Sequence, residues 1–337
     1  MSRKDDHIHY ALQETTRNTF WEELRIIPNS LPCGNTESVD LSTQYLNKTF
    51  PLPIYINAMT GGSDKAKEIN YKLALIAKKY NIPIASGSVS IALKEPSHKA
   101  SFTILRETYP EGFIIANIGV SAPIENAQKA IDLLKADALQ IHLNAPQEII
   151  MPEGDRDFRF WKDNLKAMIA STTKPVIAKE VGFGMSAETL ETLKTCGVKH
   201  VDLSGRGGTN FIRIENKRRK YPIQGFDNYG YTTLESLLDA RKVPGVTLLA
   251  SGGFERPYDM VKALSLGAKA IGMSGYFLKR VNDNTLEDVY EEFDQLIDDI
   301  KKICALLSCK NIEELTQKKW LYSSSLINFM TQRNIKY

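Results

Sequence analysis

The chain has 337 residues and a net charge of +3, from 43 basic and 40 acidic side chains. A balance that even gives no reason to invoke nucleic acid or an anionic membrane as partner. Its composition, 42% apolar and 25% charged, is that of an ordinary globular protein. No run approaches the roughly 18 apolar residues of a membrane span. The charged start "MSRKDDHIHY" lacks the apolar segment of a secretion signal. Cys33, Cys196, Cys304 and Cys309 form no CxxC pair and no metal-ligand spacing with histidine, so they read as reduced thiols of a cytoplasmic protein.

Residues 1–50 read as an arm packed on or over the remainder of the chain, with a short helix over Lys4–Thr15 and a segment containing "PCGN" that is too polar for a core of its own. From residue 51 onward, short β-branched or apolar runs recur, each ending in Gly, Ser, Asn or Lys. In order they are "PIYINAM" (53–59), "IPIASG" (82–87), "FIIANIG" (113–119), "ALQIHLN" (138–144), "PVIAKE" (175–180), "HVDLSG" (200–205), "VTLLASGG" (246–253) and "AKAIGMSG" (268–275). Helical patterns fall between them at Asp64–Tyr80, Ile124–Lys135, Phe158–Ser171, Ala187–Cys196, Thr233–Ala240 and Pro257–Leu266, and "SDKAKE", "SAETLE" and "RPYDM" mark helix starts. The pattern is least regular over Pro96–Tyr109. A long amphipathic helix, Leu286–Leu307, and a short one in "NIEELTQ" close the chain. Eight strands, nearly all separated by helices and without GxGxxG after the first, predict an α/β fold: a single (β/α)8 TIM barrel over 51–337, with the N-terminal extension and C-terminal helices added.

In such a barrel the C-terminal ends of the strands and the loops after them line the active site. Alternation along "ALQIHLN" puts Gln140, His142 and Asn144 on one face and Leu139, Ile141 and Leu143 on the other. The polar set should point inward, with Gln147 and Glu148 on the loop above. A polar inner face is costly unless a ligand or a hydrogen-bond network satisfies it. "SGRGGTN" (204–210), "SGG" (251–253) and "GMSG" (272–275) follow the last three strands, and the last two are where phosphate-binding loops gather in barrels. Lys179, sharing a strand face with Ile177, suits a ligand anion. Arg3, Lys4 and His7 on the arm suit a polyphosphate.

Over nearly its full length the sequence resembles the type 2, FMN-dependent isopentenyl-diphosphate isomerases. The resemblance is carried by "RKDDH", "NAMTGG", "IHLNAPQE", "KEVGFGMS", "VDLSGRGGTNFIRIEN" and "SGGFERPYDMVKALSLGAKAIGMSG", in that order. It implies interconversion of isopentenyl and dimethylallyl diphosphate by a 1,3-allylic proton shift, with FMN that works reduced, NAD(P)H as reductant and Mg²⁺ on the diphosphate. It also implies a homo-oligomer, a tetramer or octamer. By motif, Met59, Thr60, Ser88, Asn117 and Lys179 would surround the flavin ring, with Ser204 a further cofactor ligand. Thr209, Gly252, Gly253, Ser274 and Gly275 would hold its phosphate. Arg3, Lys4, His7, His142 and Asn144 would contact the substrate diphosphate, Gln147 the reacting alkene and Glu148 the metal. Many members read "GSQR" where this chain has "GSVS" (87–90), so Ser90 stands in place of an arginine; Arg3, Lys4 or the basic segment 213–220 would have to compensate. The alternatives are an FMN-dependent oxidoreductase acting on 2-hydroxy acids and a non-catalytic phosphate-binding barrel.

Overall fold

The computed structural model describes Tyr10, Leu12 and residues 18–336. The predicted helix Lys4–Thr15 therefore lies almost wholly outside the described residues, as do Arg3, Lys4 and His7.

Eight parallel strands close into a barrel: β4 (Ile54–Ile56), β5 (Ile84–Ser88), β6 (Ile114–Gly119), β7 (Ala138–Leu143), β8 (Val176–Glu180), β9 (His200–Asp202), β10 (Thr247–Ser251) and β11 (Ala270–Met273). They are the eight runs read from the sequence, in chain order, and β11 completes the circle by pairing Ile271 with Ile54 of β4. The helices Asp64–Tyr80 and Thr233–Ala240 have the expected limits. Ser63 and Ser186 cap their helices by accepting from Ala66 N and Thr189 N, which is the chemistry that made "SDKAKE" and "SAETLE" readable as starts. The irregular stretch after β5 breaks into three pieces, Ser90–Lys94, Pro96–His98 and Ala100–Thr108.

Strand alternation divides the barrel as predicted. Leu139 and Ile141 of β7 belong to the apolar layer between strands and helices, whereas Gln140 points inward and is fully buried. The lower interior is apolar, filled by Tyr55, Ala85, Ile115, Ala138, Ile177, Leu249 and Ala270. Against it sits a hairpin the sequence reading missed, β2 (Thr43–Tyr45) and β3 (Lys48–Phe50). Its turn residues Leu46 and Asn47 have φ of 50° and 60°, as a two-residue hairpin turn demands. Tyr45, Leu46 and Phe50 thereby plug the bottom of the barrel, with the Phe50 ring edge-on to Phe113 at 5.1 Å. Two further strands, β1 (Leu24–Ile26) and β12 (Trp320–Tyr322), pair antiparallel and tie the beginning of the described chain to its end. The plug closes the bottom of the barrel and leaves its upper mouth open. The four cysteines are free thiols, three of them buried.

Glu180, the last residue of β8, anchors the loop above it: its Oε2 accepts from the backbone N–H groups of Gly182, Phe183 and Gly184 at 2.7, 2.6 and 2.9 Å. Burial outweighs these bonds and pushes the carboxyl up to about 7. The folded value lies above that of an unfolded glutamate, so this group's contribution to stability is complete in acid and is lost as pH rises through about 7. Glu180→Gln should remove that loss. Thermal melts from about pH 5 to about pH 8 should show the variant gaining a few degrees on the wild type; parallel curves would contradict a proton on Glu180.

Candidate active site

The upper mouth holds a cavity of about 770 Å³. Met59, Thr60, Ser88, Asn117, His142, Asn144, Gln147, Glu148, Lys179, Ser204, Thr209, Gly252, Gly253, Ser274 and Gly275 all lie on its wall. Every described residue to which the resemblance gives a cofactor, substrate or metal role therefore lines one cavity.

The floor is a polar network centred on Asp202, a fully buried residue of β9. Its carboxylate accepts from Tyr55 Oη (2.6 Å), Ser251 Oγ (2.6 Å), Asn57 Nδ2 (2.7 Å) and Ser204 N (3.2 Å), and pairs with Lys179 Nζ at 3.4 Å. Lys179 Nζ also donates to the Glu180 carbonyl at 2.6 Å. Burial first, then the charge of Asp202, holds the Tyr55 phenol well above its usual range, so it remains a donor. From Asn57 the bonds run on through Gln140 and Asn117 to His142. Sequence reading missed Asp202 and Tyr55; the alternation His200, Asp202, Ser204 in "HVDLSG" was the available sign. Ser204 follows with φ 51°, a left-handed conformation that is rare for a side-chain-bearing residue and concentrates at functional sites.

Gln147 and Glu148 do not sit on a loop, as expected, but in a short helix, Ala145–Ile150, opened by Pro146. The helix faces both side chains toward the cavity. Asn144 Nδ2 donates to Gln147 Oε1 (3.2 Å) and Glu148 Oε1 (2.8 Å), and Asp155 N donates to Glu148 Oε2 (2.9 Å). Gln147 Nε2 in turn donates to Glu215 Oε1 at 3.1 Å. Glu215 is fully buried and its other oxygen takes Arg218. The sequence reading passed over this carboxylate, although a Glu among Ile212, Ile214 and the apolar face of helix Phe211–Lys217 is an anomaly that asks for a partner.

None of the residues 213–220, offered as compensation for Ser90, lines the cavity. Arg218 is spent on Glu215 and Glu153, and Arg219 on the carbonyls of Ile150 and Tyr221. Neither lines the cavity. Different basic side chains do: Ser90 lies on the wall, and Lys94 and His98, which the sequence reading had not selected, lie beside it. Ser90 and Lys94 are four residues apart in helix Ser90–Lys94 and so share a face.

At the opposite rim the loops after β9 and β10 touch backbone to backbone. A Cβ on Gly253 (φ +82°) would lie 1.9 Å from Gly207 O, and one on Gly208 would lie 2.8 Å from Gly253 N. Asn18 Nδ2, from the arm, bonds Gly253 O at 2.6 Å and holds this pair of loops from outside. Beside them begins the helix Gly275–Asp283. A Cβ at Gly275 would meet nothing within 4 Å, so the helix N-terminus looks into open space on the cavity wall. Glycine loops converging on a helix start make an anion cradle. Thr60 Oγ1 is buried on the same wall without a hydrogen-bond partner, as a ligand contact would require. These features fit a phosphorylated cofactor. Among the described residues no group of three His, Cys, Asp or Glu side chains is placed to hold a metal.

Known proteins point the same way. The model of the FMN-dependent dehydrogenase family matches residues 116–322. Isopentenyl-diphosphate delta-isomerases of Staphylococcus aureus strains Newman and JH9 are each 42% identical over 336 residues, spanning 99% of this chain and 96% of the relative. Among solved structures, a mandelate oxidase with 2-hydroxy-phenylacetamide gives a TM-score of 0.66 at 14% identity, covering 95% of this chain and 96% of the other. A mandelate oxidase variant with (S)-mandelic acid gives 0.65 at 13% identity, covering 94% of each chain. At that identity the likeness is one of fold. Barrel, cradle and whole-length sequence agreement together place the chain in the type 2 isopentenyl-diphosphate delta-isomerase family, within the FMN-dependent dehydrogenases.

Proposed function

We propose that this protein interconverts isopentenyl diphosphate and dimethylallyl diphosphate by moving a proton across the allylic unit, with FMN, NAD(P)H as its reductant and Mg²⁺. The observation that carries the reading is the 42% identity over 99% of the chain with isopentenyl-diphosphate delta-isomerases. The cradle of Thr209, Gly252, Gly253, Ser274 and Gly275 would hold the FMN phosphate. Met59, Thr60, Ser88, Asn117, Lys179 and Ser204 would meet the rest of the cofactor. Reduced FMN, when bound, supplies a proton-exchanging nitrogen and an electron-rich ring face beside the reacting carbons.

The chain's own residues bind and orient. Lys179 brings a positive charge, partly offset by Asp202, that favours an anionic ligand. His142 and Asn144 would take the diphosphate, together with Arg3, Lys4 and His7. The amide of Gln147, held between Asn144 and Glu215, would position the alkene. An amide does not titrate at neutral pH, which suits a positioning role beside a cofactor that carries the proton. On this reading residues 1–50 form an arm on the catalytic barrel, 51–337: its first residues would complete the site, while Thr43–Phe50 plugs the other end. Among the described residues no helix is long and apolar enough to cross a membrane; a cytoplasmic homo-oligomer, tetramer or octamer, is the proposed form.

Lys94 takes the place left by Ser90 as a cation for the diphosphate. Lys94→Ala is expected to raise KM for isopentenyl diphosphate roughly tenfold, about 1.4 kcal/mol, with kcat little changed. An unaltered KM would remove it from the site. Glu148 would share Mg²⁺ with diphosphate oxygens, since this hard ion takes one or two carboxylates plus phosphate. Steady-state Mg²⁺ titrations of Glu148→Gln should show half-saturation moved upward by roughly an order of magnitude, and an unmoved titration would count against the metal role. The cofactor reading is tested by absorbance: the purified protein should carry or take up FMN, and NADPH should bleach the flavin band. A protein that stays colourless with added FMN would overturn it.

A further inference from the structure

We propose that Gln140, buried below the cavity and not on its wall, is a positioning residue that fixes which nitrogen of the His142 ring carries the proton. The direction of the hydrogen bonds can be followed from two groups with no choice of role. The Asp202 carboxylate only accepts and the Ala58 N–H only donates. Asn57 therefore turns Nδ2 to Asp202 (2.7 Å) and Oδ1 to Ala58 N (2.8 Å). Asn57 Oδ1 also faces Gln140 at 3.3 Å, so Gln140 presents its Nε2 there and its Oε1 to Asn117 Nδ2, 2.7 Å away. Asn117 is left with Oδ1 toward His142 Nδ1, at 2.9 Å. A carbonyl oxygen accepts only, and the proton of the neutral ring must lie on Nδ1. Three amides in series thus carry the polarity of Asp202 from β9 across the barrel to β7.

The consequence falls on Nε2. It points toward Gly119 of the cavity wall, where an added Cβ would stand 3.1 Å from it. With the proton held on Nδ1, neutral His142 offers Nε2 as an acceptor, the wrong polarity for a phosphate oxygen. An anion is held at Nε2 only when the ring takes a proton from solvent and becomes imidazolium. The inference rests on the reading of His142 as a diphosphate ligand. Among the described residues, charged groups around the ring are Lys179, its register partner on β8, Asp202 behind that lysine, and Glu148 on the helix above. The neighbouring strand β6 faces the ring with Asn117 and Gly119, both uncharged. Lys179 disfavours a second cation next to it, and a bound anion favours one. Substrate binding becomes coupled to uptake of a proton. Gln140 sets this coupling without touching the substrate.

The test uses FMN-loaded protein labelled with ¹⁵N in histidine, with inorganic diphosphate as the probe. In the wild type without ligand the His142 nitrogens should report Nδ1–H and an unprotonated Nε2; diphosphate should convert the ring to the doubly protonated form. The wild-type KM for isopentenyl diphosphate should then climb by up to about tenfold per pH unit on the alkaline side. Gln140→Met cuts the series and lets Asn117 turn over. The neutral ring can then carry its proton on Nε2 and bind the anion directly, and the alkaline rise in KM should flatten. A proton on Nε2 in the free wild type, or a KM slope unchanged in Gln140→Met, would overturn the proposal. If Gln140→Met does not fold, the wild-type tautomer alone decides. Should the tautomer be Nδ1–H while diphosphate leaves the His142 signals unmoved, the ligand reading of His142 fails and the coupling with it, but the amide series stands.

Discussion

Gln147→Asn is expected to lower kcat on the order of 100-fold while FMN binds as tightly as in the wild type. Gln147 is almost wholly buried, and its amide is fixed at both ends, by Asn144 at 3.2 Å and Glu215 at 3.1 Å. Asparagine withdraws the amide by roughly one C–C bond, about 1.5 Å. A misplacement of that size at a reacting group costs on the order of 100-fold in rate. The shorter side chain also leaves the buried Glu215 oxygen short of a donor, which costs about 1–3 kcal/mol of stability. None of this reaches the glycine cradle at the opposite rim. Flavin titration and steady-state kinetics separate the two effects: equal losses of turnover and FMN affinity would make Gln147 a structural residue.

The second large effect belongs to the cradle. Gly253→Ala should weaken FMN binding by two orders of magnitude or more, about 3 kcal/mol or above. Its φ of +82° is a conformation that costs an alanine roughly 1–2 kcal/mol. The new methyl would stand 1.9 Å from Gly207 O, which cannot yield because it belongs to the facing loop's backbone. The two loops must part, and Asn18, bonded to Gly253 O, moves with them. Gly275→Ala is the informative control: its Cβ meets no protein atom within 4 Å, so the apoprotein should keep its wild-type melting temperature and lose affinity for FMN alone. An FMN affinity unchanged in both variants would take the phosphate away from this rim.

The barrel was readable from sequence because strand and helix periods are local properties. Leu139 and Ile141 against Gln140 and His142 already assign the two faces of β7, and the closed structure keeps that assignment. The chain's cradle was readable for a similar reason, since Gly252, Gly253 and Gly275 are chemically unusual in any context. What escaped reading depends on non-local contact. The β2–β3 hairpin is a three-residue pair whose role as a plug exists only once the barrel gives it a bottom to fill. Tyr55 and Asp202 are 147 positions apart and bond at 2.6 Å, and Gln147 meets Glu215 from 68 positions away. No spacing rule joins such pairs. Ser90 and Lys94 show the middle case: the missing arginine was visible, whereas Lys94 came into view only because the stretch after β5 includes a helix that puts it on the cavity wall.

The most direct test is the stoichiometry of turnover. Protein, FMN, Mg²⁺ and isopentenyl diphosphate are incubated anaerobically with limiting NADPH, and dimethylallyl diphosphate is measured against NADPH consumed. An isomerase on this barrel makes product in large excess over the NADPH spent on reducing the flavin. Product locked one-to-one to NADPH, or none at all, would contradict it.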